Sequence, residues 1–270
     1  MTLIIPPRVF VAVPAYGEHM STRTVNALLG LQRSLLAHDC SGGYGSLSFP
    51  DIGEIRNIFL TVWYDKVQTS HLLFIDSDMG FDAQLVIDML SIDKPLVGAL
   101  CPKRKLPIEF AGRALKGDAR IINNAFMEVD GIGAAVMLIR RDAVDAVLGR
   151  YPELIDEVSW KNHAAKGMLD SYGVTRLIRG FDPLYVDGEK FSEDLSFCRR
   201  YRDTGGEIWA NISHQITHVG MYDYGGRYLD VIKDQIKPVG APAAAPPVPA
   251  QSRPVEIEGM ALPEYAVAAE

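Results

Sequence analysis

The chain's apolar positions follow two patterns, and their alternation organises the first hundred residues. Short unbroken apolar runs, "RVFVAV" (8–13, closed by Pro14), "HLLFI" (71–75) and "PLVGAL" (95–100), read as buried strands. Between them the apolar residues recur at helical spacing. Ser21 is placed to cap a helix carrying Val25, Leu28, Leu29, Leu35 and Leu36, and Ile55, Ile58, Phe59, Val62 and Trp63 share a face of a second. Leu85, Val86, Met89 and Leu90 mark a third helix over about 82–92, with Asp82 as its cap. The glycine- and serine-rich "CSGGYGSLSFPDIG" (40–53) predicts a flexible loop. Strand alternating with helix predicts an α/β fold with a mainly parallel central sheet flanked by helices. Such sheets bind ligands beyond the carboxyl ends of their strands. "PAYGE" and "DSDMG" both fall at such ends and are expected to line one crevice.

The second half changes character. "AFMEVDGIGAAVMLIRRDAVDAVL" (125–148) reads as an extended segment with a glycine kink, then a strand, then a helix from near Arg141. Residues 180–210 predict a loop, a helix across 193–203, a Gly-Gly stop and a strand, and "NISHQITHVG" (211–220) is expected to close the folded region. From Pro238 onward the Pro/Ala-rich composition predicts a disordered tail. The expected organisation is one domain over 1–237 and a tail over 238–270.

With 48% apolar and 23% charged residues, the composition is that of an ordinary soluble protein. The formal charge of −7 argues against a broad nucleic-acid surface, although it leaves room for one basic pocket taking a phosphorylated small molecule. "MTLIIPPR" lacks a basic leader and is interrupted by Pro6 and Pro7, and no apolar stretch approaches the ~20 residues that span a bilayer. Cys40, Cys101 and Cys198 are odd in number and widely spaced. They fit neither a disulfide framework nor a zinc site and favour a reduced, cytoplasmic protein.

Candidate chemistry starts with "HLLFIDSDMGFD" (71–82). Two like charges, Asp76 and Asp78, end a buried strand, which is costly unless water or a cation compensates them. Such a pair can hold a hard divalent ion together with a ligand's phosphates, and a plain strand exit into solvent fits the same residues. Glu193 and Asp194 open the helix predicted at 193. There they favour the helix dipole, or Asp194 faces the crevice as a general base. His214 and His218 lie in an extended segment, so helical metal spacing does not apply. His218 becomes a ligand only where the fold returns it to the aspartates. Gly131 and Gly133 permit a bend or a close approach, and a bulged strand explains both equally. Lys103, Arg104 and Lys105 follow a strand end, either as solvated charge or with one of them meeting a diphosphate.

In order, "VAVPAYGE", "EIRN", "LLFIDSDMGF", "VGALCPKR", "VDGIGAAVMLIRRDA", "SEDLSFCRR" and "HVG" cover about residues 8–220. This series resembles the nucleotide-sugar-dependent glycosyltransferases of the A-type fold, the family 2 enzymes and their Anp1-like relatives. The resemblance implies a single Rossmann-like nucleotide-diphospho-sugar transferase domain. It implies a metal-dependent (Mn2+ or Mg2+) transfer of a sugar from a UDP- or GDP-sugar to an acceptor hydroxyl. By the same resemblance Pro14, Ala15 and Tyr16 hold the base and ribose, and Arg56 lies near the donor. Asp76 sits nearer the ribose, with Asp78 directly on the metal through its D-x-D motif. Gly131, Gly133 and Glu193 belong to the acceptor side, Asp194 is the base of an inverting reaction, and His218 is a late metal ligand.

The chain also departs from that pattern. The Q-x-x-R-W acceptor motif of processive synthases is absent, and "EDLSFCRR" runs into "YRDTGG" without a Trp, so single addition is expected. A retaining outcome stays open. Two alternatives remain beside it. A nucleotidyltransferase making an activated sugar wants a glycine-rich basic first loop, of which "PAYGEHMSTR" is a faint echo. The other is a non-catalytic nucleotide-sugar or partner-binding module of the same fold.

Overall fold

Strands β1 (Val9–Pro14), β2 (Ser41–Leu47) and β3 (His71–Ile75) pair in parallel, with β1 in the middle. The structure is a computed structural model describing residues 7–115 and 119–233, so the tail expected over 238–270 lies outside the described residues. In β3, Leu72 and Phe74 enter one core while Leu73 and Ile75 enter another, all fully buried. Alternate residues of a strand point to opposite faces, so a sheet covered on both sides needs no polar position. That is why "HLLFI" is apolar without interruption.

The covering layers come from helices α1 (Thr22–Ala37), α2 (Ile52–Lys66) and others along the chain. After β4 (Met79–Gly80) come α3 (Gln84–Ser91), β5 (Leu96–Ala99), β6 (Gly112–Ala114), β7 (Ile121–Ile122), β8 (Phe126–Ile132), β9 (Val136–Arg140) and α4 (Arg141–Arg150). The remainder holds β10 (Ile155–Asp156), α5 (Lys166–Ser171), β11 (Leu177–Ile178), β12 (Tyr185–Val186), β13 (Glu189–Lys190) and α6 (Glu193–Arg202). It ends with β14 (Ile208–Asn211), β15 (Ile216–Val219), β16 (Asp223–Gly226) and α7 (Tyr228–Ile232). The central sheet runs β2-β1-β3-β9-β5-β14-β8-β6, with β7 also on β8, and β8 and β9 point against the rest. Phe59 and Trp63 of α2, Val144 and Val147 of α4 and Phe197 of α6 fill one core. Leu31 and Leu35 of α1 with Leu85 and Met89 of α3 fill the other. Each such side chain contributes about 1.5–3 kcal/mol on burial.

Three expectations are corrected. Residues 41–47 are an edge strand, not a flexible loop. Their glycines mark close approach, since a Cβ on Gly45 would lie 3.0 Å from the Phe10 ring and one on Gly42 2.9 Å from the Val9 carbonyl oxygen. The buried face of α1 carries Thr24, Ala27, Leu31 and Leu35, leaving Val25, Leu29 and Leu36 exposed. The folded region does not close at 220, because β16 pairs back onto β15 and α7 follows. Asp82 does act at the start of α3, where its Oδ1 accepts the Gln84 amide at 2.8 Å. All three cysteines are buried and free, and burial pushes the Cys198 thiol up to about 12. Among the described residues no helix is long and apolar enough to cross a membrane.

Candidate active site

The site is built at the carboxyl ends of β1, β3 and β5. Asp76 leaves β3 with its amide donating to the Ala135 carbonyl at 2.9 Å, and the Met79 amide returns to the Asp76 carbonyl at 3.3 Å. The Ser77 carbonyl between them accepts the amide of Ser21 at 2.8 Å, the residue that caps α1. This turn leads into β4, which pairs antiparallel with β15 so that Met79 stands opposite His218. The Val219 amide then donates to the Asp78 carbonyl at 2.8 Å. Backbone pairing therefore delivers His218 to Asp78 from far along the chain, with His218 Nε2 3.5 Å from Asp78 Oδ2.

His218 Nδ1 lies 2.9 Å from the Pro102 carbonyl oxygen. A carbonyl only accepts, so Nδ1 carries the proton and Nε2 turns its lone pair toward Asp78. Burial lowers the imidazole's pKa and Arg104 adds to this, outweighing the Pro102 bond and Asp76, so the ring is neutral at neutral pH. Asp78 Oδ2 is ion-paired with Arg104, while Oδ1 is buried with no partner among the described residues.

The helix side is organised by Arg56, 3% exposed on α2. Its Nη2 donates to Asp76 Oδ1 at 2.9 Å and its Nη1 to Glu193. Burial opposes the guanidinium charge, and the carboxylates of Asp76, Glu193 and Asp194 more than offset it, so the Arg56 pKa is raised. The neighbouring Asn57 accepts the Phe181 amide and donates to Asp182, both at 2.8 Å, fixing the loop that leads toward α6. Glu193 and Asp194 occupy the first turn of α6, where acids complement the dipole. Asp194 Oδ1 accepts the Ser192 hydroxyl and the Leu195 amide. A Cβ on Gly133 would sit 3.4 Å from Asp194 Oδ2, so that oxygen faces the gap the glycine leaves.

A cavity of about 370 Å3 is lined by Arg56, Asp76, Arg104, Gly133, Asp194 and His218, among others. A second, of about 190 Å3, is lined by Pro14, Tyr16, Phe49, Ile52 and Asp78, and the two share Asp76 and Ile52. Tyr16 is exposed. Ala15 is buried, and its amide donates to the Leu47 carbonyl at 2.9 Å, so it ties the β1 exit to β2. Glu193 borders the larger cavity but is held by Arg56. Gly131 lies away from both cavities, in β8 against Leu195 and Cys198, because its missing side chain makes room for α6. Ser192, Pro102 and Ile52 also shape the site, and no sequence pattern marks Pro102 or Ile52. Only Ser192 carries a signal, as a hydroxyl residue directly before an acidic helix start.

Among the described residues no cluster of three or more His, Cys, Asp or Glu is placed to hold a metal. The unpartnered Asp78 Oδ1 and the Nε2 lone pair of His218 do fit a divalent ion that completes its shell with a ligand's phosphates and water.

No family model matches the chain, and no curated protein matches it. Among solved structures it is similar to A197 from STIV at 17% identity and a TM-score of 0.45, covering 79% of this chain and 86% of that one. It is similar to GalNAc-T7 solved with UDP, GalNAc and Mn2+ at 12% identity and a TM-score of 0.46, covering 85% of this chain. The match spans 48% of the GalNAc-T7 chain, about half its length. The inositol-1-phosphate CTP transferase from T. maritima is matched at 11% identity and a TM-score of 0.41, over 80% of this chain and 90% of that one.

Proposed function

We propose that the protein is a metal-dependent glycosyltransferase that moves a sugar from a nucleoside-diphosphate donor to an acceptor hydroxyl, with inversion and without processivity. The observation that carries this reading is the close approach of Asp78 and His218 beside the cleft that Asp194 also lines. Asp78 and His218 would hold a Mn2+ or Mg2+ ion, whose chemistry when bound is to neutralise charge building on the departing diphosphate. The smaller cavity, with Pro14 and Tyr16, takes the base and ribose. Arg56 fixes Asp76 at the junction of the two cavities. Asp194 Oδ2 accepts the proton of the acceptor hydroxyl as its oxygen attacks the anomeric carbon, and attack opposite the leaving diphosphate inverts the configuration. Ser192 and the Leu195 amide hold the other oxygen, so the base approaches with one orientation. The nucleotidyltransferase alternative gains no support at the first strand end, which is a tight turn over Tyr16–Glu18 with an exposed tyrosine instead of a glycine-rich basic loop.

The test is thermal unfolding with Mn2+ and UDP or GDP. Ligand at ~100-fold over Kd adds about 2.7 kcal/mol, enough to raise Tm by several degrees. Asp78→Ala is expected to abolish the shift. A wild-type Tm that stays fixed across all nucleoside diphosphates with metal would sink the reading.

A further inference from the structure

The two oxygens of Asp78 live in different company. Oδ1 is buried and, among the described residues, unpartnered, while Oδ2 is taken by the guanidinium of Arg104. Arg104 comes from a loop closed at its base by the Pro102–Phe110 bridge and by the Ala111 amide donating to the Cys101 carbonyl at 2.8 Å. Its neighbours Lys103 and Lys105 both pair with Glu109, and although Lys103 also borders the cleft, only Arg104 of the three reaches Asp78. The side chain runs over Gly220, where a Cβ would lie 3.2 Å from Arg104 Cδ. It is 48% exposed, so moving it disturbs little packing.

We propose that Arg104 is the resident counter-cation of this site and becomes a diphosphate ligand when the donor arrives. In the free protein it neutralises Asp78. With a divalent ion held by Asp78 and His218, the guanidinium of Arg104 would leave Oδ2, and the freed fork would take the donor's diphosphate, whose geometry it matches with paired N–H donors. Metal alone must displace an ion pair, whereas metal with nucleotide gives Arg104 a new partner. The two ligands therefore bind with positive coupling, which by linkage is reciprocal. This inference rests on the metal-and-diphosphate reading above.

The experiment measures Mn2+ affinity by the EPR signal of free Mn2+, with and without UDP, in wild type, Arg104→Ala and Arg104→Lys. Without nucleotide, Arg104→Ala is expected to bind Mn2+ roughly two- to fivefold more tightly, the scale of one exposed ion pair. With Mn2+ saturating, its UDP affinity is expected to fall about tenfold, the scale of a lost charge-assisted contact. Arg104→Lys restores competition with Mn2+ but recovers UDP affinity only in part, because an ammonium lacks the fork. A merely structural role for Arg104 would not move these two affinities in opposite directions. Mn2+ affinity in Arg104→Ala equal to or weaker than wild type overturns the proposal. So does UDP binding that depends on Arg104 yet is as tight without a divalent ion, which would make Arg104 the metal's replacement. Wild type that binds both ligands while Arg104→Ala matches it removes this inference alone. Wild type that binds neither removes it together with the proposed function.

Discussion

The cleft holds two acidic pairs, Asp76 with Asp78 after a strand and Glu193 with Asp194 at a helix start, and Arg56 divides both in the same way. It holds Asp76 from the first and Glu193 from the second, leaving Asp78 and Asp194, which also line the cavities, without a bond to it. One buried cation thus joins the two sides, and holds one acid of each pair while the other stays free of it. The pairs differ in what aims the free acid. Asp194 is oriented by its own neighbours, Ser192 and the Leu195 amide. Asp78 is placed by long-range pairing of β4 with β15 and neutralised by an exposed arginine. In the proposed function, a local device would suit a base that must hold one geometry, and an exposed exchangeable partner would suit an acid that must admit a cation.

The largest effect tests that division of labour. Asp194→Asn is expected to cut transfer from a UDP- or GDP-sugar by ~10²–10⁴-fold, the usual contribution of a positioned base, while the Mn2+/UDP shift in Tm survives. Asp78→Ala should lose both. Release of nucleoside diphosphate measures turnover. An Asp194→Asn protein that turns over normally, or that loses its Tm shift, breaks the comparison at the helix side.

Next in size is Arg56 itself. Arg56→Met leaves Asp76 and Glu193 facing each other without a counter-charge. The expected loss is about 3 kcal/mol in urea unfolding, the low end for a broken buried pair because both acids are partly exposed. Adding Glu193→Gln should recover part of that loss, since one stranded charge is then removed. A single variant as stable as wild type would show that the two sides do not share Arg56 energetically.

How much of this was legible follows from where the determinants lie. "HLLFI" and the Ser21 cap were readable because their signals are local: coverage of both faces leaves β3 as an unbroken apolar run, and Ser21 Oγ accepts the Thr24 amide at 3.0 Å. The strand at 41–47 was not, because its partners sit in β1 and its glycines resemble a loop until Phe10 is placed beside them. In α1 apolar residues occur on both faces, so periodicity could not choose Leu31 over Leu29. Asp76 and Asp78 stood out as charges ending an apolar run. Nothing near His218 announces Asp78, and its candidacy came from the order of motifs before β15 paired with β4. Arg104 was one of three basic residues, and its ion pair with Asp78, while Lys103 and Lys105 pair with Glu109, singles it out.

The two glycines expected on the acceptor side give the smallest effect and the finest discrimination. They are two residues apart, yet a Cβ on Gly131 would meet Leu195 Cδ2 at 2.7 Å, whereas one on Gly133 meets Asp194 Oδ2 at 3.4 Å. The first contact is overpacking against α6, relieved only by moving a side chain. Gly131→Ala should therefore cost about 1 kcal/mol in unfolding and leave turnover per folded molecule near wild type. The second is an ordinary contact that the fold tolerates. Gly133→Ala should leave stability within about 0.5 kcal/mol, keep the Mn2+/UDP shift, and slow transfer severalfold by crowding the oxygen that receives the proton. The opposite assignment, with Gly131→Ala impairing transfer and Gly133→Ala impairing only folding, would mean that the acceptor approaches across β8 and that Asp194 Oδ2 faces packing instead of substrate.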